Sequence, residues 1–459
     1  MFRKIQHIHL VGIGGSGMSG IAEVLLTLGY KVTGSDLSQS DSTRRLESLG
    51  GKIFIGHDAV HVDGAQVVVI SSAVKSTNPE VIAARQQVIP VIPRAEMLAE
   101  LMRLKFGVAI AGAHGKTTTT SLVASMLAHA GLDPTFVVGG KVNALGTHAR
   151  LGRSDLLIAE ADESDGSFLR LSPSIAVVTN IDREHLDHYG SMDAIKGAFL
   201  EFINKVPFYG LSILCADDAH VRDLLPHVHK RYLTYGLNQA SDGTRPDIFA
   251  TDLSMIGRTV NFRAQFGDKK LGPFRLNIPG THNVANALAA IGVALELEIP
   301  VDLIRSGLAG FSGVERRFHV RGEKKHIIVV DDYGHHPTEI RATLAAAKSA
   351  WSQRLIVLFQ PHRYSRTRDL ADEFAQVFGQ ADVLYVTDVY AAGEAPIDGV
   401  SGRGLADTIR DAGHSEVTWV EKKEELIHRV LPTLKEGDVV LTLGAGDIWK
   451  VGVELLEHL

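Results

Sequence analysis

The chain has 459 residues, which at roughly 100 to 200 residues per domain predicts two to four domains, with three as the central expectation. A composition that is 45% hydrophobic and 22% charged is typical of a globular protein and excludes a disordered or fibrous chain. The formal net charge of -6 offers no basic surface for nucleic acid, and neither a signal peptide nor an apolar run of about 18 residues is recognised, so we expect a cytoplasmic protein without membrane insertion.

Short apolar runs alternate with segments of helical periodicity through most of the chain. This pattern predicts an α/β fold in which parallel sheets are covered by helices. In the first part of the chain the predicted strands are 7–11, 31–34, 52–55 and 66–71, and the predicted helices are 17–28 and 95–102. The Pro-bounded stretch 89–93 indicates the exit from this first part.

The middle part begins at a second strand, loop and helix. Its predicted strands are 106–111, 156–159 and 175–178, and its predicted helices are 117–130 and 283–297. Polar alternation over residues 240–278 predicts antiparallel strands. The lone cysteine, Cys215, lies in an apolar run, so we predict a buried strand residue rather than a nucleophile.

The last part starts near Val320, after a predicted hinge over residues 310–318. It repeats the alternation of strands and helices most regularly. The predicted strands are 326–330, 355–359, 383–387, 417–420 and 439–443, and helices are predicted to begin near 337, 367, 402 and 423.

The first glycine-rich loop, Gly12-Ile-Gly-Gly-Ser-Gly17, matches Gly-x-Gly-x-x-Gly between a predicted strand and a predicted helix. Its glycines let the backbone approach a pyrophosphate, whose charge the helix N-terminus stabilises. Asp36 follows 19 positions after Gly17, where a carboxylate can accept the hydroxyls of a ribose. A tight turn that merely needs small residues is the alternative. The residues predicted to bind a nucleotide diphosphate are Gly14, Gly15, Ser16, Gly17 and Asp36.

A second loop, Gly112-Ala-His-Gly-Lys-Thr117, follows the strand 106–111. Its lysine can hold β- and γ-phosphates, and its hydroxyl can coordinate Mg²⁺ at the start of a Thr-rich helix. The loop is shorter than a full P-loop, because Ile110 occupies the position of the first glycine, and this argues against an NTPase motor. The predicted ATP-binding residues are Gly112, Ala113, His114, Gly115, Lys116, Thr117 and Thr118.

Two nucleotide-type loops in separate parts of one chain restrict the class of enzyme. A dehydrogenase needs only the first loop and a motor only the second. An enzyme that activates one substrate with ATP, and binds a second substrate through its nucleotide group, needs both loops. We therefore predict three domains: a Rossmann-like N-terminal sheet (1–104), a central P-loop-type ATPase domain (105–319) and a C-terminal Rossmann-like α/β domain (320–459).

Acidic and histidine residues follow two of the predicted central strands. One group is Glu160-Ala-Asp-Glu-Ser-Asp165, and the other is Asn180-Ile-Asp-Arg-Glu-His-Leu-Asp187. Mg²⁺ prefers oxygen ligands and keeps substrate phosphates in its coordination sphere, so carboxylates near Thr117 predict a magnesium site. Zinc is the alternative for the second group, although that group lacks cysteines and the HExxH spacing. The alternative for both groups is that they bind no ligand and are solvated loops or helix caps.

Two polar loops follow strands of the last domain. The first is Asp331-Asp-Tyr-Gly-His-His-Pro337, and the second is Pro361-His-Arg-Tyr-Ser-Arg-Thr-Arg368. Arginine forks suit carboxylates and phosphates, so the second loop predicts capture of an anionic group, with a solvated basic loop as the alternative.

Together, and in order over essentially the whole chain, these stretches resemble the Mur ligases, the ATP-dependent amide-forming enzymes of bacterial peptidoglycan precursor synthesis. Within the family, the combination is most similar to the member that adds the first amino acid. This resemblance implies UDP-N-acetylmuramate, L-alanine and ATP as substrates, with Mg²⁺ as the cofactor. The motifs that carry it are 12–21, 112–120, 160–165, 282–287, 315–318 and 331–337.

The resemblance also implies roles for single residues in the ATP site. Lys116 would bind the ATP phosphates and act in catalysis. The implied magnesium ligands are Thr117, Glu160 and His185. The residues that match the family's positions around the nucleotide are Asn283 and Asn286 near adenine, and Arg317 and Asp332, which reach it from the hinge and the last domain.

For the amino acid, the resemblance suggests His335, Arg363 and Arg366. We expect His335 to orient or deprotonate the incoming amine. Several other Mur ligases carry a carbamylated lysine after the second acidic group. Here the nearest lysine is Lys196 and the family position holds Phe199, so we expect no such modification.

The implied mechanism begins when a carboxylate attacks the γ-phosphate of ATP and gives an acyl phosphate, which the amine of L-alanine then attacks. Because an acyl phosphate hydrolyses in water, we expect the last domain to close over the middle one. The open alternatives are a recycling ligase of the same family that attaches a tripeptide to UDP-N-acetylmuramate, an NAD-dependent dehydrogenase and a nucleic-acid-stimulated NTPase. The sequence allows a monomer or a homodimer.

Overall fold

The computed structural model describes residues 5–71, 73–239 and 243–459. These residues form two compact units. The first extends to Thr251 and includes Arg263–Phe274 and Ala285–Phe311; the second comprises Asp252–Phe262, Arg275–Val284 and Ser312–Leu459. No helix in the described ranges is both long enough and apolar enough to cross a lipid bilayer.

The first sheet of the first unit is fully parallel, with the strand order β3-β2-β1-β4-β5. Chain order reverses beside β1, so the loop after β1 opens into the crevice where such sheets bind ligands. The strands are β1 (His7–Val11), β2 (Lys31–Asp36), β3 (Lys52–Ile55), β4 (Val67–Ile70) and β5 (Val91–Pro93). The helices are α1 (Ser16–Thr27), α2 (Asp41–Ser48), α3 (Pro79–Gln86) and α4 (Arg94–Met102).

A carboxylate is completely buried beside this sheet. Glu80 of α3 accepts hydrogen bonds from Ser35 Oγ at 2.6 Å and lies 2.7 Å from His61 Nδ1 and 3.1 Å from His57 Nδ1. Burial alone would raise the pKa of Glu80, but the contacts with His9, Ser35 and His61 outweigh it and lower the pKa to about 2. Glu80 is therefore an ionised group that the surrounding side chains stabilise.

The second sheet has ten strands in the order β15-β14-β13-β12-β11-β10-β6-β9-β7-β8. Its central strands are parallel, and β8 runs antiparallel to β7 at one edge. The strands are β6 (Phe106–Ala111), β7 (Thr135–Val142), β8 (Thr147–Arg150), β9 (Leu156–Glu160), β10 (Ile175–Val178), β11 (Leu211–Cys215), β12 (Tyr232–Gly236), β13 (Ile248–Ile256), β14 (Thr259–Phe266) and β15 (Lys269–Leu276).

One helix of this region, α5, is buried along most of its length. Residues Thr117 to Leu127 of α5 are all buried, because α5 packs against β7, β9 and α10. A helix covered all round belongs to the core rather than the surface. The helices are α5 (Lys116–His129), α6 (Leu186–Tyr189), α7 (Met192–Asn204), α8 (Ala219–Leu224), α9 (Thr281–Glu296) and α10 (Val301–Ala309).

The first sheet and most of the second lie in the first unit and share a hydrophobic core. Gly20 of α1 is placed so closely that a Cβ there would lie 2.9 Å from Cβ of Ala149 on β8. The core runs from Ile21 of the first sheet region to Phe199 and Phe202 of α7. Cys215 is buried in β11, as predicted, and burial raises its pKa to about 12.

The sheet of the second unit has the order β16-β17-β21-β18-β19-β20 and is parallel except for β16. Its strands are β16 (His319–Lys324), β17 (Ile327–Asp332), β18 (Leu355–Phe359), β19 (Val383–Thr387), β20 (Val417–Val420) and β21 (Val439–Leu443). Its helices are α11 (Pro337–Ala350), α12 (Tyr364–Asp369), α13 (Ala371–Val377), α14 (Gly402–Asp411), α15 (Leu426–Val430) and α16 (Trp449–His458). Three α/β sheets agree with the predicted fold class.

Candidate active site

The first glycine-rich loop connects β1 to α1 at the carboxyl edge of its sheet. Gly12 has φ 77°, and the backbone N–H groups of Gly12 and Ile13 donate to the carbonyl of Ser35. Asp36 accepts from the N–H of Gly14 at 2.8 Å and from that of Leu37 at 2.8 Å. Asp36 thus holds the shape of the loop, in addition to any contact with a ligand. The side chain of Ser16 lies outside the described residues.

Arg94, at the start of α4, lies against this loop and was not predicted from the sequence. A Cβ at Gly17 would collide with Nη1 of Arg94, and it would lie 3.3 Å from Cζ. The other guanidinium nitrogen, Nη2, donates to Asp162 Oδ2 at 2.8 Å. Asp162 belongs to the first acidic group, so Arg94 joins the first loop to the residues around the second.

The second loop connects β6 to α5 and ends at Gly115, which has φ 82° and precedes the first helical residue. Lys116 Nζ donates to the carbonyls of Gly112 and Ala113, at 2.5 and 3.1 Å, and to Glu163 Oε1 at 2.8 Å. Burial would lower the pKa of Lys116, but the charge of Glu163 outweighs it and raises the pKa. Lys116 is therefore a positive charge at the N-terminus of a long helix. Thr117 and Thr118 are buried in the first turn.

Residues after β10 hold this loop in place. Asn180 accepts from the N–H of His114 at 2.8 Å and donates to its carbonyl at 2.9 Å, while Thr179 Oγ1 donates to the same carbonyl at 2.6 Å. His114 Nε2 lies 2.8 Å from Asp182 Oδ2. Two residues of the second acidic group, Asn180 and Asp182, therefore hold the phosphate loop in position. The sequence had placed both in a group of possible metal ligands.

The two asparagines predicted near adenine lie on the first turns of α9. Asn286 packs on the phosphate loop, since a Cβ at Gly115 would lie 2.7 Å from its Oδ1. Asn283 Nδ2 donates to the carbonyl of Pro279 at 2.6 Å. Both side chains are buried.

A cluster of carboxylates and a histidine lies beside Lys116. Ligand atoms of Glu163, Glu184 and His185 are all within 4.8 Å of one another. The predicted ligand Glu160 is not part of this cluster. Its Oε1 accepts a hydrogen bond from the N–H of Gly139 at 2.8 Å. The structure therefore adds Glu163 and Glu184 to the candidate metal ligands around His185.

The donor set of this cluster fits a magnesium ion. Oxygen ligands are those that Mg²⁺ prefers, and Glu163 Oε2 is buried without a hydrogen-bond partner among the described residues. Burial raises the pKa of Glu163 to about 7, although the Lys116 ammonium opposes this. A second positive charge near the unpaired oxygen would satisfy it.

In the second unit, Asp332 is a buried acceptor at the end of β17. It accepts from the N–H of Phe318 and the N–H of Gly334, each at 2.7 Å, and lies 3.2 Å from Thr343 Oγ1. Burial raises its pKa to about 6, against the effect of Arg317. Asp332 therefore fixes the turn that carries Arg317, whose Nη1 lies 3.6 Å from Glu339 Oε1.

His335 follows the same strand and is oriented by Glu339. Its Nδ1 lies 3.2 Å from the carbonyl of Tyr333 and 3.3 Å from Glu339 Oε2. Donation from Nδ1 to these oxygens places the basic lone pair on Nε2. The ring of His362 is 5.7 Å from that of His335, and Arg366 Nη1 is 3.3 Å from His362 Nδ1. The structure thus brings His335 and Arg366 to one place.

Arg363 makes an ion pair that the sequence did not predict. Its Nε lies 2.8 Å from Glu394 Oε1, and Ser365 donates to the same carboxylate at 2.6 Å. Arg363 has φ 71°, which is uncommon for a residue with a side chain. Its backbone and guanidinium are therefore held by the loop around Glu394.

Models of one protein family match most of the chain. The description "Mur ligase family, catalytic domain" matches residues 7–106, "Mur ligase middle domain" matches 110–294, and "Mur ligase, glutamate ligase domain" matches 316–446. These three stretches follow the three sheets in order.

Curated relatives are similar over their full length. The UDP-N-acetylmuramate–L-alanine ligase of Geobacter sp. (strain M21) is 58% identical over 460 residues, covering 100% of this chain and 99% of the relative. That of Myxococcus xanthus (strain DK1622) is 59% identical over 457 residues, covering 100% and 96%.

Solved structures show the same fold. The UDP-N-acetylmuramate-alanine ligase of Thermotoga maritima has a TM-score of 0.83 at 31% identity, covering 98% of each chain. A murein peptide ligase of Psychrobacter arcticus 273-4 has a TM-score of 0.71 at 26% identity, also covering 98% of each.

Proposed function

The chain belongs to the Mur ligase family, and from this we propose that it joins L-alanine to the carboxylate of UDP-N-acetylmuramate with consumption of ATP. The observation that carries the proposal is 58% identity over the whole chain to ligases with that name. The product would be UDP-N-acetylmuramoyl-L-alanine, with ADP and phosphate.

The same comparisons favour this function over the tripeptide ligase. The murein peptide ligase is 26% identical, against 58% for the L-alanine ligase of Geobacter sp. (strain M21) and 31% for that of Thermotoga maritima. Its TM-score of 0.71 is also lower than the 0.83 of the Thermotoga maritima enzyme. We therefore assign the free amino acid, rather than a peptide, as the second substrate.

For ATP, we propose that the phosphates bind at the loop Gly112–Thr118 and the adenine near Asn283 and Asn286. Lys116 now donates to its own loop and to Glu163, and a γ-phosphate would replace the carbonyl oxygens as its acceptor. We further assign Arg317 and Asp332 to the nucleotide, Asp332 through the turn that it holds.

The proposed magnesium ligands are Thr117, Glu160, Glu163, Glu184 and His185. When bound, Mg²⁺ supplies positive charge that stabilises the oxygens of the transferring phosphoryl group. The chain itself contributes the Lys116 ammonium and the N-terminus of α5, both fixed before substrate arrives because Asn180 and Thr179 hold the loop. Such preorganised charge lowers the barrier to phosphoryl transfer.

The carboxylate of UDP-N-acetylmuramate would attack the γ-phosphorus, and ADP would leave. The neutral amine of L-alanine would then attack the acyl carbon, and phosphate would leave as the amide forms. We assign His335 to orient or deprotonate this amine, because its Nε2 is the basic nitrogen when Nδ1 donates to Tyr333 and Glu339. Arg366, with Arg363 as a supporting residue of the loop, would bind the carboxylate of L-alanine.

One assay tests the proposal: release of phosphate from ATP with UDP-N-acetylmuramate and a panel of L-alanine, L-serine, glycine and the tripeptide. We expect the highest kcat/KM with L-alanine and none with UDP-N-acetylmuramate absent. Activity that depends on the tripeptide alone would assign the chain to recycling instead. Binding of NAD with no ligation would refute both.

A further inference from the structure

Arg317 lies between two residues whose backbone is left-handed. Arg316 has φ 60° and Phe318 has φ 45°, conformations that residues with side chains rarely adopt. Such residues persist only where the surrounding structure holds them. On one side of Arg317, the N–H of Phe318 donates to Asp332. The other side, at Arg316, needs an anchor of its own.

The side chain of Arg316 provides that anchor. Its Nη2 donates to the carbonyl oxygen of Gly444 at 2.8 Å and to that of Gly446 at 3.0 Å, and its Nε lies 3.5 Å from Asp331 Oδ2. The carbonyl group of Arg316 accepts from the N–H of Tyr333 at 2.8 Å. Both the guanidinium and the backbone of Arg316 are therefore held by residues of the second unit.

The turn that receives Arg316 has the composition and position of a phosphate-binding loop, but it presents acceptors instead of donors. Gly444-Ala-Gly-Asp447 connects β21 to α16, as glycine-rich loops that bind phosphate connect a strand to a helix. The N–H groups of Asp447 and Ile448 already donate to Gln360 Oε1, at 3.0 and 3.2 Å. Because two carbonyl groups of the turn accept from Arg316, the turn holds a cation rather than an anion.

Both glycines are required for this arrangement. A Cβ at Gly446 would collide with Gln360 Oε1 and would lie 2.9 Å from the ring of Tyr390. Gly444 has φ 146°, and a Cβ there would lie 2.8 Å from the carbonyl oxygen of Gln360. The glycines thus allow the turn to pack on Gln360 while its carbonyl groups accept from Arg316.

We propose that Arg316 is a positioning residue, which through its bonds to the turn Gly444–Asp447 holds Arg317 where it reaches the nucleotide. This inference rests on the proposed function, which assigns Arg317 to the nucleotide. The guanidinium carbons of the two arginines lie over one ring, that of Tyr333, at 4.9 and 5.1 Å from its centroid. A shift of Arg316 would therefore reach Arg317 through the backbone and through this shared ring.

Arg321 provides a matched control. Its Nη2 donates at 3.0 Å to Asp331 Oδ2, the carboxylate oxygen that Arg316 also faces. The two side chains are similarly covered, with 14% exposed for Arg321 and 22% for Arg316. Arg321 lies over the ring of Trp449, and none of its hydrogen bonds among the described residues goes to the glycine turn. Its removal tests what loss of a covered guanidinium at Asp331 does by itself.

The experiment measures thermal unfolding of the full chain, and kcat and KM for ATP and for UDP-N-acetylmuramate. We expect Arg316→Ala to lower kcat/KM for ATP about three- to tenfold, while the KM for UDP-N-acetylmuramate changes less than about twofold. Arg316→Lys should lose less and fold at least as well, since an ammonium still donates to a carbonyl. Arg321→Ala should lower the melting temperature about as much as Arg316→Ala, yet keep kcat/KM for ATP within about twofold of the parent.

A double-mutant cycle with Arg317→Ala separates positioning from a direct action of Arg316. Arg316→Ala should have little further effect on kcat/KM for ATP once Arg317 is alanine. Additive losses, an equal loss in Arg321→Ala, or an unchanged value in Arg316→Ala would each overturn the proposal.

Failure of the proposed function would look different. An unchanged kcat/KM for ATP in Arg317→Ala would refute the assignment of Arg317 to the nucleotide, and the positioning role with it. Phosphate release that depends on the tripeptide alone would refute the proposed substrate, but the same cycle, measured with ATP and the tripeptide, would still test Arg316.

Discussion

The ammonium of Lys116 lies 2.8 Å from Oε1 of Glu163, and both side chains are largely buried. Each group compensates the other: the carboxylate keeps the lysine protonated, and the lysine opposes the effect of burial on the carboxylate. A pair of this kind contributes little net stability while both members are present, but removal of one member leaves an uncompensated buried charge.

Replacement of Lys116 by Met should therefore have two separable effects. Ligation should fall by orders of magnitude, because the phosphates lose their cation. The free energy of unfolding should also fall, by about 1–3 kcal/mol, because Glu163 without its counter-charge must either take up a proton or remain a buried, unpaired charge. In the double variant Lys116→Met/Glu163→Gln, stability should return while activity does not. Urea unfolding and phosphate release measure the two effects, and equal stability of the single and double variants would argue against the compensation.

Glu80 should make stability depend on pH in the acid range. Its pKa of about 2 in the folded protein is below the ordinary value of 4.5, so the ionised group stabilises the fold above about pH 4.5. This contribution is lost as the pH falls toward 2. In Glu80→Gln the same contribution is absent at every pH. The difference in unfolding free energy between parent and variant should thus shrink between pH 5 and 2; a constant difference would contradict the assigned pKa.

Asp332→Asn should reduce ligation at least tenfold, although the substitution changes the shape of the side chain little. Phe318 and Gly334 donate to different oxygens of the carboxylate, and an amide replaces one of these oxygens by an NH2 group. One buried N–H therefore loses its partner, at a cost of about 1–3 kcal/mol. The turn that carries Arg317 would shift. Thr343→Val removes only the 3.2 Å contact with the same carboxylate and should have a smaller effect. Equal kcat/KM values for the two variants would be evidence against this role.

Ligation should need no carbon dioxide or bicarbonate. Phe199, which the resemblance aligns with the family's carbamylated lysine, is buried with its ring 5.2 Å from that of Phe168. Lys196, the nearest lysine, is paired with Asp223 at 2.7 Å. Degassed buffer should leave kcat unchanged, and Phe199→Ala should cost about 3–5 kcal/mol of stability. Restoration of activity by added bicarbonate would show that another lysine is modified.

Strands that are buried on both faces were the easiest elements to predict. Ile175–Val178 and Leu355–Phe359 were predicted at their observed bounds, because parallel strands in the middle of a sheet are continuous apolar runs. The edge strand β16 was missed, since His319–Lys324 mixes charged and apolar residues and its side chains are partly exposed. The amphipathic helix α7 was also missed; its buried face is Ile195, Phe199, Phe202 and Ile203.

Within the site, local motifs identified the loops but not their partners. Lys116 could be predicted because it lies in a Gly-Lys-Thr motif that directly follows a predicted strand and its glycine-rich loop. The partners could not be found this way: Arg94 and Asp162 are 68 positions apart, and Arg363 and Glu394 lie on different loops. The choice among neighbouring carboxylates also depends on side-chain direction, which is why Glu163, and not Glu160, pairs with Lys116.

Gly112 is a position in the phosphate loop at which the structure allows no other residue. Its φ of 135° is strained for any other residue, and a Cβ would collide with Thr179 Oγ1 and lie 3.1 Å from the backbone of Asn180. Thr179 cannot turn away without losing its bond to His114. A bacterium under selection by an inhibitor bound at this loop would therefore find no tolerated single substitution at position 112, and resistance would have to arise elsewhere in the chain.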